Sequence, residues 1–261
     1  EPTKDAFIQT GLIHFLAASG LNVGIIAGFI MTLCGWCKLP QAFRIPVAMV
    51  SVAVYIMLAG ASPSVLRAGT MLEIGLALKL LDRNLSLVNL LGLASVALVV
   101  INPDVVGSLG FQFSVLSSFG LITMVPPLQN WLGHYITRTV SGILLVPFVA
   151  QLWVLPLSVY HFNQLPLHSV FLNVLALLPI TCLTALGFTA ALLSFIFRPL
   201  AFGLAWLSNL FIAPILWLVE WGQSLQSLIW HPPSPELWCV FALYGLLLLG
   251  LYFILLAPKS L

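Results

Sequence analysis

From Gly11 onward the chain alternates apolar runs with short breaks that are polar, charged or proline-bearing. A membrane span needs about 20 predominantly apolar residues, and cutting the chain at its breaks on that measure gives about nine segments. They fall near residues 10–35, 45–60, 63–81, 85–101, 106–126, 139–160, 167–196, 200–230 and 236–257, the seventh and eighth long enough to tilt, kink or break. Pro147, Pro156, Pro179 and Pro214 interrupt apolar runs, so each predicts a kink where neighbours or water take up the freed carbonyl. Asn102-Pro103-Asp104 is a turn signal between two spans. The pattern predicts an all-α, polytopic transmembrane bundle, some segments kinked or re-entrant, forming one domain over residues 1–261.

Composition makes the membrane assignment quantitative. Hydrophobic residues are 61% of the chain and charged residues only 6%, against about 25% charged in a soluble domain. Mean hydropathy is +1.12. No long polar tract is left for a soluble catalytic domain. The first residue is Glu1, with no charged region ahead of a short apolar core and cleavage site, so the chain reads as a fragment of something longer.

Basic residues set the expected orientation. Lys38 and Arg44, Lys79 and Arg83, Arg138, Arg198 and Lys259 fall on alternate loops, whereas the opposite loops carry Asp104, His161, His168, His231 and Glu236 without Lys or Arg. The positive-inside rule then predicts the N-terminus outside and the C-terminus inside, with only Lys4 weakly against it.

Polar groups inside such segments need partners or water. The first run holds His14, Ser19 and Asn22 towards one side, while Gly20, Gly24 and Gly28 form a small-residue face that permits close helix approach. Ser62 and Ser64 flank Pro63 at the start of the third segment, which carries the chain's most costly side chains, Arg67 and Glu73. Six residues apart on a helix, those two point about 240° from each other and cannot pair directly. Each therefore requires its own interhelical partner or a hydrated passage, where a guanidinium makes a good phosphate fork. Gln112 and Ser114 are embedded similarly, with packing and pore lining both open. Trp206, Trp217 and Trp221 gather on one side of the eighth segment, the pattern of an interfacial aromatic belt.

Other chemistries have little support. Cys34-x-x-Cys37 lacks a second ligand pair for metal, and the chain's 4 cysteines do not suggest a secreted disulfide framework. No His-x-His-x-Asp cluster and no phosphate-binding Gly-x-x-x-x-Gly-Lys-Ser/Thr loop occurs, so neither metal, nucleotide nor any other cofactor is expected. A net charge of +2 gives no electrostatic footprint for a polyanion. An intramembrane enzyme built on Ser19 or His14 ranks last, because their directions differ by about 140° on a straight helix.

Several stretches together carry a resemblance. Gly11 to Val23 resembles the histidine-to-serine-glycine-leucine stretch of the ComEC competence family. Gly60-x-Ser62-Pro63-Ser64-x-x-Arg67-Ala68-x-x-Met71, Arg83, Asn102-Pro103 and Gly110-Phe111-Gln112-x-Ser114 follow that family's pattern in order. Tyr160-His161-Phe162-x-Gln164 and the stretch from Asn173 to Pro179 do so more loosely. Asn22 departs from it where a second histidine is frequent, and Phe113 where leucine is usual.

The resemblance implies a domain of a bacterial cytoplasmic-membrane protein that conducts single-stranded DNA inward during natural transformation, with no catalysis of its own. It also implies an OB-like domain and a metallo-β-lactamase-like domain flanking this one and absent from this chain, a DNA receptor outside, and a cytoplasmic motor or single-strand-binding protein. On that view Arg67 meets phosphates, while His14, Ser19, Asn22, Ser62, Ser64, Glu73, Gln112 and Ser114 line the path within membrane lipid. A small-molecule or ion permease would use the same buried Arg67 and Glu73 at a compact midplane site.

Overall fold

In the computed structural model, residues 10, 12, 20–133, 135–166, 168–194, 197–225, 229–230, 232 and 235–256 are described. They form nine helices: α1 (Gly20–Trp36), α2 (Gln41–Leu58), α3 (Pro63–Leu80), α4 (Leu87–Ile101), α5 (Leu109–Leu132), α6 (Arg138–Phe162), α7 (Ser169–Ser194), α8 (Arg198–Ser224) and α9 (Leu237–Leu256). The expected all-helical architecture is what the chain adopts. A two-residue antiparallel pairing, β1 (Leu165–Pro166) with β2 (Ile229–Trp230), is an addition that the hydrophobic pattern did not reveal.

Six of these helices, α2 and α5 to α9, are long and apolar enough to cross a membrane. α1 and α4 are apolar but shorter, and α3 carries Arg67, Glu73 and Lys79. Large apolar side chains cover the outside: Met57, Leu58, Phe202 and Trp206 are each more than three-quarters exposed. In water that surface would be prohibitive, whereas in hydrocarbon it is the expected lining of a multi-pass membrane protein.

Helix ends follow local chemistry. Pro63 occupies the first turn of α3, where its missing N–H removes no hydrogen bond. Ser86 caps α4 by accepting from the Asn89 N–H, and Asn102 caps a short 3-10 turn, Pro103–Gly107, by accepting from that of Asp104. The link from α2 to α3 runs through Gly60 and Ala61, both left-handed, at φ 73° and 51°. Gly60 takes that conformation without penalty, whereas Ala61 is strained by its Cβ.

All four expected helix prolines lie inside helices, as do Pro46, Pro126 and Pro127. The boundary expected near residue 126 is corrected: α5 continues through Pro126 and Pro127 to Leu132. Proline's fixed φ is itself helical, and a bundle can satisfy the carbonyls it frees. α2 also starts at Gln41, earlier than expected, because Lys38 turns the chain at φ 55° and Pro40 occupies the N-cap.

The described chain forms two compact units. One comprises the described residues between 14 and 115 and between 180 and 213, the other those up to 13, between 116 and 179 and from 214 on. In the first, α1 packs on both α2 and α3, and α3 also packs on α4. Its core joins Val23 and Ala27 of α1 to Val52 of α2 and Val65 of α3. In the second, Val125, Leu145, Val149, Trp153 and Leu251 make the core, with Trp153 edge-on to Phe119 at 5.1 Å.

Candidate functional site

The site lies in the first unit, where the beginnings of α1, α3 and α5 converge. Starting α3 at Pro63 puts Arg67 one turn along the helix, about 6 Å from its end. The first turns of α5 stand beside it: Gly110 faces Pro63, and a Cβ added at Gly110 would meet the proline ring at 3.5 Å, ordinary contact. Arg67 Nε donates to Ser114 Oγ at 2.7 Å, a bond spanning 47 residues of sequence. Arg67 Nη1 lies 3.6 Å from Met71 Sδ, one turn further on the same face of α3.

α1 closes the third side. A Cβ added at Gly20 would lie 2.8 Å from Ala68 Cβ and 3.2 Å from Arg67 Nη2, so the guanidinium touches space that only glycine leaves free. Gly24 and Gly28 do not share this role, since an added Cβ at either would meet nothing within 4 Å. Among the described residues the small-residue face is therefore used for close contact at Gly20.

The partners given to Arg67 are neutral, a hydroxyl and a thioether. Glu73 lies further along α3 and keeps Oε1 buried with no hydrogen-bond partner among the described residues. The inability of Arg67 and Glu73 to pair, expected from their helical spacing, is thus what the structure shows. Arg67 thus has no carboxylate partner among the described residues, its Nε being on Ser114 and its Nη1 facing Met71.

The remaining expected residues are scattered. Gln112 donates from Nε2 to the Val106 carbonyl at 2.8 Å, closing the corner from the 3-10 turn to α5. Asn22 lines a cavity with Ile25, Ile26, Tyr55, Thr184 and Phe188. Ser62 is the N-cap residue of α3, although its hydroxyl makes no cap bond. Ser64 presents its carbonyl towards Gly20, 3.6 Å from where a Cβ would sit. His14 and Ser19 lie outside the described residues.

The sequence did not reveal Gly20 as a wall for Arg67, nor Met71 as its neighbour. Met71 sits four residues from Arg67, so helical spacing alone put the two together. In the second unit, Trp217 and Trp221 of α8 stack with ring centroids 5.9 Å apart and planes 8° from parallel. His168, Ser169 and Asn173 form a buried polar group around the start of α7, with side-chain atoms lacking partners among the described residues. Among the described residues no three His, Cys, Asp or Glu side chains gather to hold a metal.

Fold and site together define a polytopic helical membrane protein whose Arg67, at a three-helix corner, has no carboxylate partner among the described residues. Residues 1–257 match the competence protein family, and the chain belongs to it. It is 32% identical over 173 residues to ComE operon protein 3 of Bacillus subtilis (strain 168), an alignment covering 65% of this chain and 21% of that relative. The chain thus spans only a small part of that protein's length. No solved structure matches it.

Proposed function

We propose that this chain is the conducting domain of a DNA-uptake protein, carrying single-stranded DNA across the cytoplasmic membrane of a bacterium during natural transformation. One observation carries the reading: inside a helical membrane bundle, Arg67 bonds a hydroxyl and a thioether and has no carboxylate partner among the described residues. Burying a cation among apolar helices costs about 2.5–3.5 kcal/mol at a helix centre, less near an end, and an ion pair with a resident carboxylate would offset it. Here a passing phosphodiester takes that place. Glu73, on a different face of α3, would repel phosphates and keep the strand to the Arg67 side.

The strand moves against an interior-negative potential, which opposes each phosphate by about 2.3 kcal/mol per 100 mV. A cytoplasmic motor or strand-binding protein supplies that work, and a receptor delivers the strand from outside. OB-like and metallo-β-lactamase-like domains of the longer protein flank the conduit. The orientation is N-terminus outside and C-terminus inside, and the domain itself carries no catalytic residue.

The test is internalisation of labelled DNA by cells carrying the full-length protein with Arg67→Ala, Arg67→Lys or Glu73→Gln, membrane abundance being measured in parallel. The reading expects Arg67→Ala to lower uptake at least tenfold at normal abundance, with Arg67→Lys recovering part of it because a point charge replaces a fork. Uptake unaltered in Arg67→Ala at normal abundance would remove Arg67 from the path. Uptake lost only in proportion to abundance would make it a packing residue.

A further inference from the structure

We infer that the cavity between α1, α2 and α7 is a binding site for a single unpaired nucleobase of the conducted strand; this rests on the DNA-conducting reading. The cavity holds about 210 Å³ and is lined by Asn22, Ile25 and Ile26 of α1, Tyr55 of α2, and Thr184 and Phe188 of α7. All six residues belong to the first unit.

Its chemistry selects the occupant. Two aromatic rings and two isoleucines offer apolar surface, an amide and two hydroxyls add polar groups, and no charged side chain is among the described lining residues. A phosphate would find no cation there. A lipid tail would leave the hydroxyls of Tyr55 and Thr184 facing hydrocarbon, which polar groups avoid. A nucleobase has what the lining asks for, a flat apolar face and a hydrogen-bonding edge. The volume is smaller than the roughly 300–1,000 Å³ of clefts that bury drug-sized ligands, and suits one small ring system.

The wall is set before anything binds. Phe188 packs edge-on against Phe29 of α1, centroids 6.0 Å apart with planes at 90°, which fixes its ring beside Ile25 and Asn22. Tyr55 also borders the core made by Val23, Ala27, Val52 and Val65. Rings held this way lose little freedom when a base stacks on them.

Gly20 turns towards Arg67, whereas Asn22, about 200° round α1, turns into the cavity. α1 therefore stands between the phosphate fork and the base site, and one nucleotide does not fill both. The two sites make separate contributions, one to phosphates and one to bases.

The experiment compares binding of oligothymidylate with binding of an abasic deoxyribose-phosphate oligomer of equal length, using the full-length protein in lipid nanodiscs. The unaltered protein is expected to bind the base-bearing oligomer about tenfold more tightly, the scale of one stacked base. Tyr55→Ala and Phe188→Leu should bring that ratio towards one while leaving abasic affinity unchanged. Tyr55→Phe and Thr184→Val, milder changes that keep the apolar wall, should reduce it partly. Arg67→Ala should weaken both oligomers and leave their ratio standing. Equal binding of the two oligomers by the unaltered protein, or a ratio that survives Tyr55→Ala in folded protein, overturns the base site alone. Binding of neither oligomer overturns the DNA-conducting reading itself.

Discussion

Arg67 Nε and Ser114 Oγ meet at 2.7 Å across 47 residues of sequence, tying the first turns of α3 to those of α5. Ser114 is buried and Arg67 partly so, and that hydroxyl is the oxygen acceptor for the guanidinium's edge among the described residues. Ser114→Ala would leave a charged donor short of its acceptor, at an expected loss of about 1–3 kcal/mol in stability. Thermal unfolding in detergent should show a lower midpoint for Ser114→Ala and a near-normal one for Ser114→Thr, which retains the oxygen.

Gly20 tests the same corner from α1. The Cβ of Gly20→Ala would sit 2.8 Å from Ala68 Cβ, a methyl with no rotamer to retreat into, and 3.2 Å from the Arg67 guanidinium. The helices must separate, and overpacking of this kind costs about 1–3 kcal/mol. Gly24→Ala and Gly28→Ala meet open space and gain helix propensity of up to about 1 kcal/mol each. Membrane abundance and melting midpoint should fall for the first variant and hold or rise for the other two.

In the second unit the corresponding close approach is between Gly120 and Trp153. A Cβ at Gly120 would overlap the Trp153 indole, and Trp153 is only 2% exposed. Its ring is held against Phe119, and its carbonyl accepts from the Tyr244 hydroxyl at 3.1 Å. Gly120→Ala is therefore expected to destabilise more than Gly20→Ala, and pairing it with Trp153→Leu should recover part of the loss. A double-mutant cycle on unfolding midpoints measures that coupling.

His168 gives the fold a dependence on pH. It lies just before the α7 span and is 6% exposed, and burial pushes its imidazole below the usual histidine range. The folded chain keeps the ring neutral, whereas the unfolded chain titrates near its ordinary value of about 6.5. Stability is thus complete above about pH 6.5 and declines as pH falls from there towards the lowered folded value, since the unfolded chain takes the proton first. Melting midpoints measured between about pH 7.5 and pH 5.5 should fall more steeply for the unaltered protein than for His168→Gln.

Much of this architecture was legible in the order of residues. Within the described residues the apolar runs became helices, because a segment in lipid must satisfy every backbone polar group internally. Prolines in those runs misled only at Pro126 and Pro127, where the apolar pattern stops and the helix does not. Arg67 also stood out, since a cation in apolar surroundings is expensive wherever it lies.

The sequence by itself determined where the helices run, the direction each side chain takes around its own axis, and hence that Arg67 and Glu73 do not pair. Tertiary structure alone decided what each direction meets. It set Ser114 on Arg67, gave Gly20 but not Gly24 or Gly28 a close neighbour, and placed Asn22 in a cavity with Tyr55, Thr184 and Phe188. The physical reason is that helical periodicity fixes angles about one axis, whereas contact requires two axes. The packing of segments far apart in the chain sets the second.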